Sequence, residues 1–141
     1  MAGAISVHID TIMHATEDHA RILESFRDTL GLEPDAFDTA EIEGHFHNPI
    51  VTATTRLRKR GAYEFLERFR GAISPGQAAE LSGTLPSRIS GSTLYIRVGK
   101  QDLVSGRVSV KDDDAVRVRI AMPVYNGQTE AAFRDLLRLH H

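Results

Sequence analysis

Three polar clusters hold the side chains of this 141-residue chain that could do chemistry. Gly44-His45-Phe46-His47-Asn48-Pro49-Ile50 places two imidazoles, an amide and a rigid proline in one short stretch. His14-Ala15-Thr16-Glu17-Asp18 lies where a strand hands over to a helix, and Gly99-Lys100-Gln101-Asp102 follows another strand. His45 and His47 are two positions apart, so on a strand both rings face one way. A divalent metal would need a further ligand there, from His14 or Glu43. Asn48-Pro49 signals that the strand ends, so rings hydrogen-bonded to backbone or carboxylate are the expectation, and no metal or cofactor is assigned. His14-Ala15-Thr16 has the form of half a two-histidine phosphodiesterase site. Such a site needs a second His-x-Thr or His-x-Ser element, so that one ring is base and the other acid. His8-Ile9-Asp10 and His45-Phe46-His47 do not supply it. Half of an acid/base pair cannot do the chemistry, and a non-enzymatic protein is expected.

Other reactive patterns are missing. Gly99-Lys100-Gln101 lacks the glycine spacing and the serine or threonine of a phosphate loop. No Gly-x-Ser-x-Gly element occurs. Asp112-Asp113-Asp114 reads as a solvated turn before it reads as a cation site. The chain has no cysteine, which removes disulfides, thiolate metal sites and cysteine nucleophiles together. His140 and His141 are assigned no role.

Charge is unevenly spread. The formal net charge is −2, yet residues 10–48 hold ten acids against two arginines, and residues 49–141 hold fifteen bases against nine acids. Arg56, Arg58, Lys59 and Arg60 nearly adjoin. Any nucleic-acid contact is therefore expected at a local patch, with the acidic half turned away.

One domain spanning 1–141 is expected from the length. The first residues have no basic region and no apolar run of signal length, and no window approaches the ~20 apolar residues of a membrane span. A soluble cytoplasmic protein without membrane contact is the expectation. Ile5, Val7 and Ile9 alternate with polar residues as in a half-buried strand. Thr16 is read as the cap of a helix with Glu17 and Asp18 in its first turn, an apolar stripe of Ile22, Leu23, Phe26 and Leu30, and Gly31 as its stop. A polar strand over 38–46 and a β-branched one over 50–57 flank Asn48-Pro49. Gly61 opens a helix carrying Phe65, Leu66 and Phe69, and Ser74-Pro75 starts a shorter one over 77–81. Alternation then predicts three strands, around Leu94–Val98, Val108–Val110 and Val116–Ile120, the last two joined at Asp112–Asp114. Phe133, Leu136 and Leu137 mark a closing helix. The order β-α-β-β-α-(α)-β-β-β-α with short connections predicts an α+β two-layer sandwich, a mainly antiparallel sheet with helices on one face. Tyr95, Arg97, Arg107, Arg117 and Arg119 fall on the other face, which could take phosphates and a stacked base.

Together the clusters resemble a known family, the small archaeal proteins described as predicted RNA-binding proteins or predicted exosome subunits. Its members open with a strand leading into His-Ala-Thr-Glu-Asp, matched by His14 to Asp18. They carry Gly-His-x-Gly-Asn-Pro-Ile in the middle, matched by Gly44 to Ile50 with His47 where glycine is usual. Ser92-Thr93-Leu94-Tyr95-Ile96-Arg97, Lys100-Gln101 and Val116-Arg117-Val118-Arg119-Ile120 match later motifs, with Asp102 where alanine is more typical. The likeness runs from about residue 5 to 125. It implies a fold like that of the ribosomal protein that binds 5S RNA, and an RNA partner linked to the exosome.

The expected function is RNA binding without catalysis. Arg56, Arg58, Lys59 and Arg60 are the candidate phosphate ligands. Lys100 with Gln101, and Tyr95 with Arg97, are candidates for phosphate and base contacts, beside Arg117 and Arg119 on the same sheet face. His14, Thr16, His45 and Asn48 form a loop cluster that either braces the fold or lines a ligand site. Two alternatives use the same residues differently. One is a homodimeric protein-interaction module that buries the arginine face, and the other a metal-dependent hydrolase built on His14, His45 and His47.

Overall fold

The computed structural model of the chain describes residues 4–43, 48–123 and 127–139. Its order is β1 (Ser6–Met13), α1 (His19–Leu30), β2 (Asp38–Glu43), β3 (Pro49–Arg58), α2 (Lys59–Ala72), α3 (Pro75–Thr84), β4 (Ile89–Ser90), β5 (Thr93–Gly99), α4 (Lys100–Val104), β6 (Ala115–Ala121) and α5 (Thr129–Leu137), with short 3₁₀ turns at Pro34–Ala36 and Leu85–Arg88. The strands form one sheet in the order β2-β3-β1-β6-β5-β4, and every strand pair is antiparallel. Short connections dictate this, because a parallel pair needs a crossover of a dozen residues or more.

Strand side chains alternate between the two faces of a sheet. Val7, Ile9, Ala53, Leu94, Ile96, Val98, Val116, Val118 and Ile120 all point to one side and are buried. They meet Ile22, Phe26 and Leu30 of α1, Phe65, Leu66 and Phe69 of α2, and Phe133 and Leu137 of α5 in one core. The helices thus cover one face of the sheet, in the expected two-layer sandwich. Gly31 ends α1 in the left-handed region at φ 72°, where its N–H bonds the Arg27 carbonyl. Ser74 caps α3 by accepting from the Gln77 N–H, with Pro75 in the first turn.

Three local expectations change. Asp18, not Thr16, caps α1: its Oδ1 accepts from the Arg21 N–H, and the helix begins at His19. Thr16 and Glu17 precede the helix because Glu17 is engaged elsewhere, as described below. Secondly, the segment holding Val108 and Val110 is not a regular strand. It makes isolated bridges, Ile73 to Val108 and Val98 to Val110. The chain enters α4 straight after Gly99, and on its return the segment touches Ile73 and only the end of β5, on the edge whose other end pairs with β4. The two-residue β4 and the short α4 are elements that the expected order lacked. Arg107 consequently leaves the sheet face and pairs with Asp102 at 3.2 Å. Finally, α3 is twice as long as its thin apolar face suggested, with Leu81 its buried contact.

Candidate nucleic-acid interface

The sheet face away from the helices carries the residues that alternate with the core. Antiparallel register aligns them in rows across four strands. One row runs Arg56, His8, Arg119, Tyr95; the next runs Thr54, Asp10, Arg117, Arg97; on the other side lies Arg58, Ser6, Ala121, Thr93. Neighbours in a row sit on strands roughly 5 Å apart, so their side chains share one surface. Tyr95 is 45% exposed.

Charge on this face is unevenly compensated. Asp10 accepts from Arg117 Nε at 2.6 Å and lies 3.8 Å from the Arg119 guanidinium. Arg119 Nη2 also lies 2.6 Å from His8 Nδ1. The same nitrogen lies 3.5 Å from His8 Nε2, and because a guanidinium can only donate, the contact favours the neutral form of the half-buried ring. Burial and the charges of Arg119 and Arg56 hold the His8 pKa below the usual histidine value, against the opposing pull of Asp10. Arg97 reaches toward the Asp112 carbonyl at 3.5 Å. Arg56, Arg58 and Lys59 are exposed and have no ion-pair partner among the described residues. Together with His8, Tyr95 and Arg119 they line a hollow of about 480 Å³ at the Arg58 end of the face. Arg60 stands apart, on α2, where it pairs with Glu64 at 3.2 Å.

Lys100 and Gln101 do not join this surface. Lys100 is 1% exposed, and its ammonium donates to the Ile12 carbonyl at 2.7 Å, to Glu17 Oε1 at 2.7 Å and to Asp114 Oδ1 at 3.0 Å. A phosphate would have to displace these oxygens to reach it, so the expected phosphate role of Lys100 is replaced by a structural one. Gln101 Nε2 donates to Glu17 Oε2 at 2.8 Å, and the His14 N–H to Glu17 Oε1 at 2.8 Å. Burial pushes the Glu17 carboxyl up, but the hydrogen bonds from the His14 N–H and Lys100, with the Lys100 charge, outweigh it and hold its pKa below the usual value. The His14–Asp18 and Lys100–Gln101 motifs are therefore two halves of one brace.

At the opposite end of β1 from the basic hollow, His14, Thr16 and Asn48 come together with Ala15 and Ile50 around a small depression of about 200 Å³. His45 and His47 lie outside the described residues. Among the described residues no three imidazole or carboxylate groups converge as metal ligands would. Sequence reasoning placed Tyr95, Arg97, Arg117 and Arg119 on this face, but it read Arg56 and Arg58 as a separate patch and did not single out His8 and Asp10. Their signal was present, since both occupy the polar phase of β1.

Residues 6–122 match the profile of a protein family described as RNA binding. The chain belongs to that family. An RNA-binding protein of Pyrococcus abyssi is 31% identical over 95% of this chain and 94% of its own length. A solved structure from Archaeoglobus fulgidus superposes with a TM-score of 0.76 at 26% identity, covering 94% of this chain and 99% of that one. One from Methanothermobacter thermautotrophicus gives 0.73 at 24% identity, covering 96% and 98%, and shares the fold. Among the described residues no helix is long and apolar enough to cross a membrane.

Three outcomes are expected. Lys100→Met strands the Glu17 carboxylate beside apolar surface and should cost about 3 kcal/mol in urea unfolding. Because the folded pKa of Glu17 is lowered, its contribution is full above the ordinary glutamate value of about 4.3 and is lost as pH falls through the folded value. Glu17→Gln should flatten that acid limb of the stability profile. In an NMR titration His8 should ionise below the usual histidine range, and Arg119→Gln should move it back up.

Proposed function

We propose that this protein binds RNA without catalysis, through the open face of its sheet. The observation that carries the reading is the cross-strand row Arg56, His8, Arg119, Tyr95, uncovered by any helix among the described residues and continued by Arg58, Arg117 and Arg97. Guanidinium groups suit phosphate oxygens, and an exposed phenol ring can stack an unpaired base. Membership of the RNA-binding family and the named relative in Pyrococcus abyssi support the same partner. The setting we propose is the cytoplasm of an archaeal cell, beside RNA-processing or RNA-degrading machinery such as the exosome. His14, Thr16 and Asn48 shape the far end of the surface.

A second reading is favoured by the exposed Ile12 on this face. Two copies could close their sheet faces on each other as a homodimer. Light scattering at micromolar concentration distinguishes them, since a monomer removes that reading.

The direct test is fluorescence anisotropy with single-stranded and structured RNAs at two salt concentrations. Binding should weaken steeply with salt as counterions are released. The Arg56→Ala, Arg58→Ala double variant should lose at least about tenfold in affinity, as two charge-assisted contacts disappear. No binding at low salt would overturn the proposal.

A further inference from the structure

The arginines of the open face do not form an even track for a polynucleotide backbone. Asp10 partly neutralises Arg117 at 2.6 Å and lies 3.8 Å from Arg119, while Arg97 reaches only a backbone carbonyl. The uncompensated charge gathers instead in the hollow at the Arg58 end. Arg56, Arg58 and Lys59 line it with Arg119, and no carboxylate is among its described lining residues. At about 480 Å³ the hollow falls in the range of small-ligand sites, about 300–1,000 Å³, and suits one nucleotide better than a stretch of several. Its other walls fit the rest of a nucleotide. Tyr95 offers an exposed ring for a base, and the His8 imidazole lies beside Arg119 in the same wall.

An internal phosphodiester carries one negative charge, while a terminal phosphomonoester carries about 1.5 to 2 at pH 7 and has three free acceptor oxygens. Several cations around one small hollow match the second better than the first, and arginine forks bind such a group bidentately. We infer that the hollow is a subsite for the phosphorylated end of an RNA strand, with the terminal phosphate among Arg56, Arg58, Lys59 and Arg119 and the end base against Tyr95. This rests on the RNA-binding reading and adds to it a choice of strand end. The strand then leaves the hollow along the Arg117 and Arg97 row, where fewer free charges are needed.

Anisotropy with one short single-stranded RNA, made with a 5′-phosphate, a 3′-phosphate or hydroxyls at both ends, tests this. One phosphorylated form should bind at least about tenfold tighter than the hydroxyl form. Arg58→Ala and Arg56→Ala should each shrink that preference, while Arg27→Ala, on α1 in the helical layer, should leave it intact. Thermal melts of each variant show that the fold is retained. Equal affinity for all three oligonucleotides would overturn the end-binding inference and leave the RNA reading standing. Failure of every oligonucleotide to bind at low salt would remove both. A nucleoside monophosphate that binds as tightly as the phosphorylated strand would assign the hollow to a free nucleotide and overturn end recognition.

Discussion

A single buried ammonium organises this molecule. Lys100 sits at the start of α4, yet its charge is shared among the end of β1 at Ile12, the link before α1 at Glu17, and the entry to β6 at Asp114. Removing an ammonium from water costs several kcal/mol, and only close oxygen partners offset that. Four chain segments must therefore arrive together, which sets where α1 and α4 lie against one end of the central strands. Glu17 is the joint of this arrangement, because the His14 N–H and Gln101 also hold its carboxylate. Residue types that suggest a reactive site in the linear chain are occupied in holding the layers together.

With the helical layer anchored, the two sides of the sheet differ in what they must do. The inner side is apolar and packed, so it tolerates little change in volume. The outer side has no layer over it among the described residues and carries exposed charges. There Asp10 accepts from Arg117 and lies near Arg119, which limits repulsion among guanidinium groups that register forces together. Compensation stops short of Arg56 and Arg58, which is what gives the face a polarity from one row to the next.

Much of this was legible from period-two alternation and turn chemistry. The core positions of β1, β5 and β6, the Gly31 stop and the Ser74-Pro75 start follow from local rules that tertiary packing reinforces. Alternation also placed Tyr95, Arg97, Arg117 and Arg119 on one face correctly. It failed at Val108 and Val110, because two alternating valines are equally at home in a segment that only touches a strand end. The cap of α1 was misplaced by two residues because Thr16 and Asp18 are both good caps, and only the commitment of Glu17 to Lys100 decides between them. Nothing local distinguishes a lysine that faces solvent from one that turns inward to partners more than eighty residues away. The role of Lys100 was hidden for that reason.

The edge strand β2 is exposed along its whole length and carries Asp38, Glu41 and Glu43. It pairs with the first half of β3, while Arg56 and Arg58 occupy the other end of that same strand. Glu41 and Glu43, opposite Val51 and Pro49, thus lie toward the other end of this ribbon from Arg56 and Arg58, with Asp38 between them opposite Thr54. Such a separation is a molecular dipole fixed in the frame of the sheet. A polyanion diffusing past feels a torque before any contact forms, repelled by one end of β3 and drawn to the other. The first collisions are then already oriented, so the acidic half of the chain helps to aim the basic half.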